Sequence, residues 1–232
     1  MPIPTYPGGP RGSRPRLPQG SVVPEPAAAR PEREAEGSTQ VAPPREPEPL
    51  ASPAVALIES SSIAVGYLIA DALVKRAPIR LLRAQAASPG KFFILYCGEV
   101  AEVEEAQAAG LEAAADALID ELLLPYAHPD LLPALDGALE VGPIDSLGVI
   151  ETLSLASALA AADAAAKAAE VRLLELRPPM GLGGKSYFTL SGPLEDLQMA
   201  IEAGLDSIRP RGMICRHAIL PNPHGDLSPF LH

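Results

Sequence analysis

The chain repeats itself. Setting Ala56-Leu57-Ile58-Glu59 over Gly148-Val149-Ile150-Glu151 gives a shift of 92 positions. The match continues through Ser62/Ser154, Ala64/Ala156, Ala70/Ala162, Asp71/Asp163, Ala72/Ala164, Lys75/Lys167 and Ala77/Ala169 to Arg80-Leu81-Leu82 over Arg172-Leu173-Leu174. With two extra residues in the second copy it resumes at Gly90-Lys91 over Gly184-Lys185, then Gly98/Gly192, Val103/Leu197, Ala106/Ala200 and Gly110-Leu111 over Gly204-Leu205. It closes with Leu124-Pro125, His128 and Asp130-Leu131 over Leu220-Pro221, His224 and Asp226-Leu227. A register held over that span is a tandem duplication, so whatever one copy folds into, the chain holds twice.

Each copy has a legible element order. Leu57–Glu59 reads as a short strand. Ser62, and Ser154 in the second copy, can cap a helix that runs to about Arg76 in the first. Arg80–Gln85 reads as a second strand, Ala87–Gly90 as a loop and Phe92–Tyr96 as a third strand, rich in aromatic and branched residues. Glu99 opens a second helix with Val100, Val103, Ala106, Gly110 and Leu111 on its apolar side, its carboxylate suited to the positive end of the helix dipole. A last strand follows near Glu121–Leu124, then a Pro-rich exit. The order is β-α-β-β-α-β, an α+β, ferredoxin-like unit occurring twice. Helices on one face of such a sheet leave its other face and its edges unpartnered, so assembly is the physical expectation.

Ahead of the repeat, 13 of the 27 prolines fall within the first fifty residues, among Gly, Glu, Arg and Ser with no helical or strand period. Residues 1–53 are therefore expected to be a disordered arm, 54–137 the first domain and 138–232 the second. The arm's six Arg balance its six Glu, so the formal net charge of −11 sits on the repeats. A body that acidic repels phosphate backbones and argues against nucleic-acid binding. Apolar stretches end well short of the ~20 residues of a membrane span, and the N-terminus lacks the apolar segment of a secretory signal, which makes the cytoplasm the default. Two cysteines, Cys97 and Cys215, give neither a disulfide framework nor zinc-ligand spacing, and are expected to be buried, inert thiols.

Few residues invite a chemical role. Gly181-Leu182-Gly183-Gly184-Lys185-Ser186 approaches a phosphate loop, but Pro179 stands where the first Gly belongs and a strand, Ser186–Leu190, follows where a helix is required. It reads instead as a turn between strands two and three, matched by the shorter Ala87-Ser88-Pro89-Gly90. Glu59 and Glu151 recur at strand ends just before a helix, where hydrogen bonding to the helix start explains them. Each copy carries the same carboxylate, not a complementary acid and base, so no catalytic residues and no metal site are assigned. His128 and His224, in the Pro-rich exits, are expected to pack or bond locally and not to ligate a metal. Lys75 and Lys167 suit the negative end of the first helix of each copy, and their repetition points to a second role at a subunit edge.

On these residues the chain resembles the bacterial microcompartment (BMC) shell domain, present in tandem, and its trimer-forming class. The Leu-Ile-Glu and Val-Ile-Glu strands, the Ala-Asp-Ala-x-x-Lys helices (Ala70–Lys75 and Ala162–Lys167), the Gly-containing loop and the ending Leu220-Pro221-Asn222-Pro223-His224 carry the likeness across about residues 54–232. The resemblance implies a structural protein, not an enzyme. Homotrimers, single or stacked face to face, would form pseudohexagonal tiles that meet other shell proteins (hexamers and pentamers) in a closed cytoplasmic shell. It implies a pore for small metabolites lined by Ser88, Pro89, Gly90 and Lys91 of the first copy and Gly181, Leu182, Gly183, Gly184 and Lys185 of the second. It implies a tile edge at Lys75 and Lys167, with Tyr126 and Asn222 standing where the family often has an edge Arg. Some tandem members hold an iron–sulfur cluster on a pore-loop Cys; neither loop here has one, so no cofactor is expected. No membrane partner is implied. The alternative is a trimeric ferredoxin-like regulatory module that binds a small molecule.

Overall fold

The computed structural model describes residues 54–139 and 142–230; the arm expected over residues 1–53 lies outside the described residues. The first copy runs β1 (Ala54–Ser60), α1 (Ile63–Arg76), β2 (Arg80–Ala87), β3 (Lys91–Gly98), α2 (Val100–Ala114), β4 (Leu118–Leu124) and a short α3 (Leu131–Asp136). The second runs β5 (Ser146–Thr152), α4 (Leu155–Ala168), β6 (Arg172–Arg177), β7 (Ser186–Gly192), α5 (Leu194–Ile208), β8 (Ile214–Pro221) and a 3-10 turn at Gly225–Phe230. Two four-stranded sheets result, ordered β2-β3-β1-β4 and β6-β7-β5-β8, with every ladder antiparallel. This is the expected unit, made twice. Even the register shift recurs, between Glu59 and Ser60 in one copy and between Glu151 and Thr152 in the other.

Local chemistry fixes the helices. Ser62 Oγ accepts the Val65 N–H at 3.4 Å and Ser154 Oγ the Ser157 N–H at 3.1 Å, so each first helix starts on the predicted serine. Glu99 occupies the cap position of α2, but its side chain bonds no helix N–H; Glu102 supplies the acid of the first turn. The repeated Gly110/Gly204 marks where paired helices touch. A Cβ on Gly204 would lie 2.9 Å from the Ala161 carbonyl oxygen, so α5 can cross α4 this closely only with glycine there.

The Pro-rich exit after β4 holds one further element: Leu131–Asp136 is helical, with Pro133 in its first turn, where proline is tolerated, and Gly137 ending it in the left-handed region at φ 67°.

Burial separates the two copies. In the first, Ala54, Ala56, Ile58, Phe92, Ile94 and Tyr96 form a core with Ile69, Leu73, Val103 and Ala106 under α1 and α2. The alternate residues of the same strands, Val55, Leu57, Phe93, Leu95 and Cys97, belong to a second core shared with Leu155, Leu159 and Ala162 of α4. The first sheet is therefore covered on both faces, once by its own helices and once by the second copy. On the second sheet, the residues opposite its helices (Val149, Glu151, Tyr187 and Thr189) stay only partly buried.

Candidate functional site

The seam between the copies concentrates the buried polar chemistry. Glu59, at the end of β1, accepts the N–H of Ala156 at 2.8 Å, so it caps the first helix of the other copy and not its own. That is why a carboxylate stands there. Burial pushes its pKa up to about 7, against the opposing pull of the α4 amides and of Lys91. Lys91 Nζ lies 3.9 Å from Glu59, and the second carboxylate oxygen of Glu59 has no hydrogen-bond partner. Lys91 itself donates across the seam to the carbonyls of Leu153 at 2.8 Å and Gly184 at 3.3 Å. Asp120 of β4 accepts the hydroxyls of Ser154 and Ser157 and, at 2.9 Å, the guanidinium of Arg211. At the far end of α4, Lys167 donates to the Tyr126 carbonyl and to Asp163, whose other oxygen accepts the His128 N–H at 2.7 Å.

The repeat equivalents of these groups stand unjoined to any other copy. Glu151 pairs with Lys185 at 3.0 Å, and Lys75 with Asp71 at 2.6 Å, both exposed. On α1, Tyr67 and Leu68 are 65% and 63% exposed, whereas their counterparts on α4, Leu159 and Ala160, are buried and half-buried against the first copy.

The two turns singled out in the sequence pack on each other. The Ser88 N–H donates to the Pro179 carbonyl at 3.2 Å, and a Cβ on Gly184 would come within 3.0 Å of Pro89. Gly90 and Gly184, at φ 92° and 89°, hold the same left-handed position in both turns, which explains their repetition. Ser88, Pro89, Gly90, Gly181, Leu182, Gly183 and Gly184 thus lie in one loop pair. Lys91 is turned into the seam, and Lys185 is held by Glu151.

Tyr126 is exposed, and Asn222, at φ 47°, donates its N–H to the Asp145 carbonyl at 3.0 Å. The cysteine expectation is half right: Cys97 is buried in β3, but Cys215 is only partly so. Both histidines bond locally, His128 and His224 each accepting on Nδ1 the N–H two residues on, at 3.3 Å. Sequence reasoning did not find the cross-copy reach of Glu59, or Asp120 and Arg211. Asp120 and Arg211 recur at no matching position, and only the repeated Glu59/Glu151 signalled that a shared carboxylate mattered. Among the described residues there is no group of three His, Cys, Asp or Glu placed to hold a metal ion, and no helix long and apolar enough to cross a membrane.

Two split-βαβ units welded through one sheet face, with the equivalent face and helix of the pair left open, define a tandem-domain protein built around a repeated seam. The family model for the BMC domain matches residues 54–127 and again 146–223, and the chain belongs to that family. It is 36% identical over 173 residues to the bacterial microcompartment shell protein PduT of Citrobacter freundii, covering 75% of this chain and 94% of that one. A carboxysome shell protein, CsoS1A of Hydrogenovibrio crunogenus, is 39% identical over 88 residues, 37% of this chain and 88% of its own. Among solved structures, a microcompartment protein from Desulfitobacterium hafniense superposes with a TM-score of 0.69 at 41% identity, over 77% of this chain and 99% of that one.

Proposed function

We propose that the chain is a structural tile of a bacterial microcompartment shell in the cytoplasm, assembled as a homotrimer whose six domains ring a central opening. The observation that carries this is the unmatched pair of surfaces: α1 exposes the counterparts of residues that α4 buries, and the second sheet leaves open the face that the first has covered. Docking α1 of one chain onto the open sheet of the next repeats the in-chain seam. A head-to-tail contact of this kind closes into a ring, and two domains per chain make three chains a pseudohexagon. Likeness to shell proteins over nearly their whole length supports the structural role; the regulatory alternative has no observation in its favour.

Ser88, Pro89, Gly90, Gly181, Leu182, Gly183 and Gly184 are the pore rim in this reading, with Lys91 and Lys185 bracing it from the seams. Lys75, Lys167, Tyr126 and Asn222 stand at the tile edge that meets neighbouring tiles, including those of other shell proteins. The expected outcome in sedimentation and electron microscopy is a trimer that builds sheets or closed particles. Tyr67→Glu, on the exposed face of α1, reduces it to folded monomers. A wild-type chain that stays monomeric at every concentration overturns the reading.

A further inference from the structure

The last described residues form a structure that the chain makes twice. After β4, the Leu131 N–H bonds the His128 carbonyl at 3.0 Å; after β8, the Leu227 N–H bonds the His224 carbonyl at 2.9 Å. In each case the histidine ring accepts the intervening aspartate N–H at 3.3 Å. The two exits are therefore the same local fold in different surroundings. In the first, Leu131 and Ala134 are 0% and 1% exposed, buried with Leu173 and Leu176 of β6. In the second, the equivalent Leu227 and Phe230 are 41% and 79% exposed.

The receiving strands show the same asymmetry. Leu173, Leu174, Glu175 and Leu176 of β6 are all buried, while their counterparts on β2, Leu81, Leu82, Arg83 and Ala84, are exposed or half-buried. Phe230 lines a cleft of about 480 Å³ together with Arg83 of β2, Leu135 and Asp136 of α3, and Glu175, Arg177 and Tyr187 of its own copy. Leu227 and Phe230 at one end of the repeat, and Leu81 and Ala84 of β2 at the other, all stay exposed in the single chain, a donor and an acceptor left uncovered.

We infer that the turn at Gly225–Phe230 clasps β2 of the next copy of this chain, Leu227 and Phe230 covering Leu81 and Ala84 as Leu131 and Ala134 cover Leu173 and Leu176 of β6. The inference rests on the ring reading above and adds to it a second, separate tie between protomers, at the edge strand and away from the α1 contact. Without it β2 would be an open edge in every domain pair of the ring.

The chain contains no tryptophan, so Phe230→Trp installs a single reporter. Its emission shifts to the blue as the protein assembles from dilute to concentrated solution, and Leu81→Asp on β2 abolishes the shift. Leu227→Asp combined with Phe230→Asp raises the concentration midpoint of trimer dissociation about 10-fold or more, the factor for losing one buried apolar side chain. Far-UV dichroism of the monomer stays unchanged, because both residues are exposed in the single chain. A tryptophan that keeps solvent-exposed emission in the trimer overturns the clasp and leaves the ring standing, as does an aspartate variant with an unchanged midpoint. A wild-type protein that forms no trimer overturns both.

Discussion

Glu59 offers the sharpest test of the seam, because its burial makes stability depend on pH in a direction opposite to that of most carboxylates. Its pKa stands at about 7 in the folded chain against 4.5 for the unperturbed group, with desolvation the leading cause. The folded state thus holds this proton more tightly than the unfolded state does. The contribution to stability is complete below about pH 4.5 and is lost as pH rises through about 7. At 1.36 kcal/mol per unit, the window spans about 3 kcal/mol. For a domain pair of this size that corresponds to a melting shift of roughly 6–12 °C. Lys91 of β3 and the α4 amides draw the value down and Asp120 of β4 pushes it up. Glu59→Gln keeps an oxygen for the Ala156 N–H and removes the titration. Thermal melts at fixed protein concentration and ionic strength, from pH 5 to 8, are the assay. The difference between wild type and variant should slope so that the wild type loses ground as pH rises. An equal slope in both proteins, or a wild type that gains on the variant toward alkaline pH, refutes the account of Glu59 as a buried, desolvated cap.

Two further outcomes follow from the repeat. Lys91→Ala removes in-chain bonds to Leu153 and Gly184, so melting falls by an amount worth about 1.5–3 kcal/mol at every protein concentration. In the proposed trimer its counterpart carbonyls, Ser61 and Gly90, belong to the next chain, so Lys185→Ala instead weakens association; sedimentation at several concentrations separates the two, and an identical effect from both counts against the second seam. A Cβ on Gly183 meets nothing within 4 Å, so Gly183→Arg is tolerated sterically at a strain of about 1–2 kcal/mol for its positive φ. It should change the rate at which a small metabolite leaves intact shells, and unchanged release counts against this turn as a pore rim.

The fold was legible because both periodicities were present and the repeat confirmed each element twice. The seam was legible too, in a signal easily passed over. β3 reads Phe92-Phe93-Ile94-Leu95-Tyr96-Cys97, an unbroken apolar run, and all six are buried because helices cover one face and α4 the other. β7 reads Ser186-Tyr187-Phe188-Thr189-Leu190-Ser191 and alternates, as a strand with one open face should. What the sequence could not show is direction. Nothing in the residues around Glu59 says that it caps a helix 97 positions away, because a carboxylate before a helix start looks the same whichever helix it serves. α3 was hidden by Pro129 and Pro133, which read as loop unless the second falls in a first helical turn.

In the proposed ring, duplication frees the in-chain seam and the one between chains to differ. A single-domain ring must use one set of residues at every contact. In this chain Asp120 lies opposite Glu59 in the ladder, while the same position opposite Glu151 is Arg216. Asp120 accepts the hydroxyls of Ser154 and Ser157; on α1 the second of those positions is Val65, which has nothing to donate. The helices differ in bulk as well. α4 meets the closed seam with Ala160 and Ala166, where α1 carries the exposed Leu68 and Val74. An α1 helix forced into the in-chain seam would bring too much volume and leave Asp120 short of a donor. Overpacking alone disfavours it by about 1–3 kcal/mol. On the proposed assembly, the copies are therefore unlike enough to favour the first domain of one chain against the second domain of another. In the proposed ring, that would enforce strict alternation of the two domains and set the two kinds of loop, one stiffened by Pro89 and one rich in glycine, alternately around its centre.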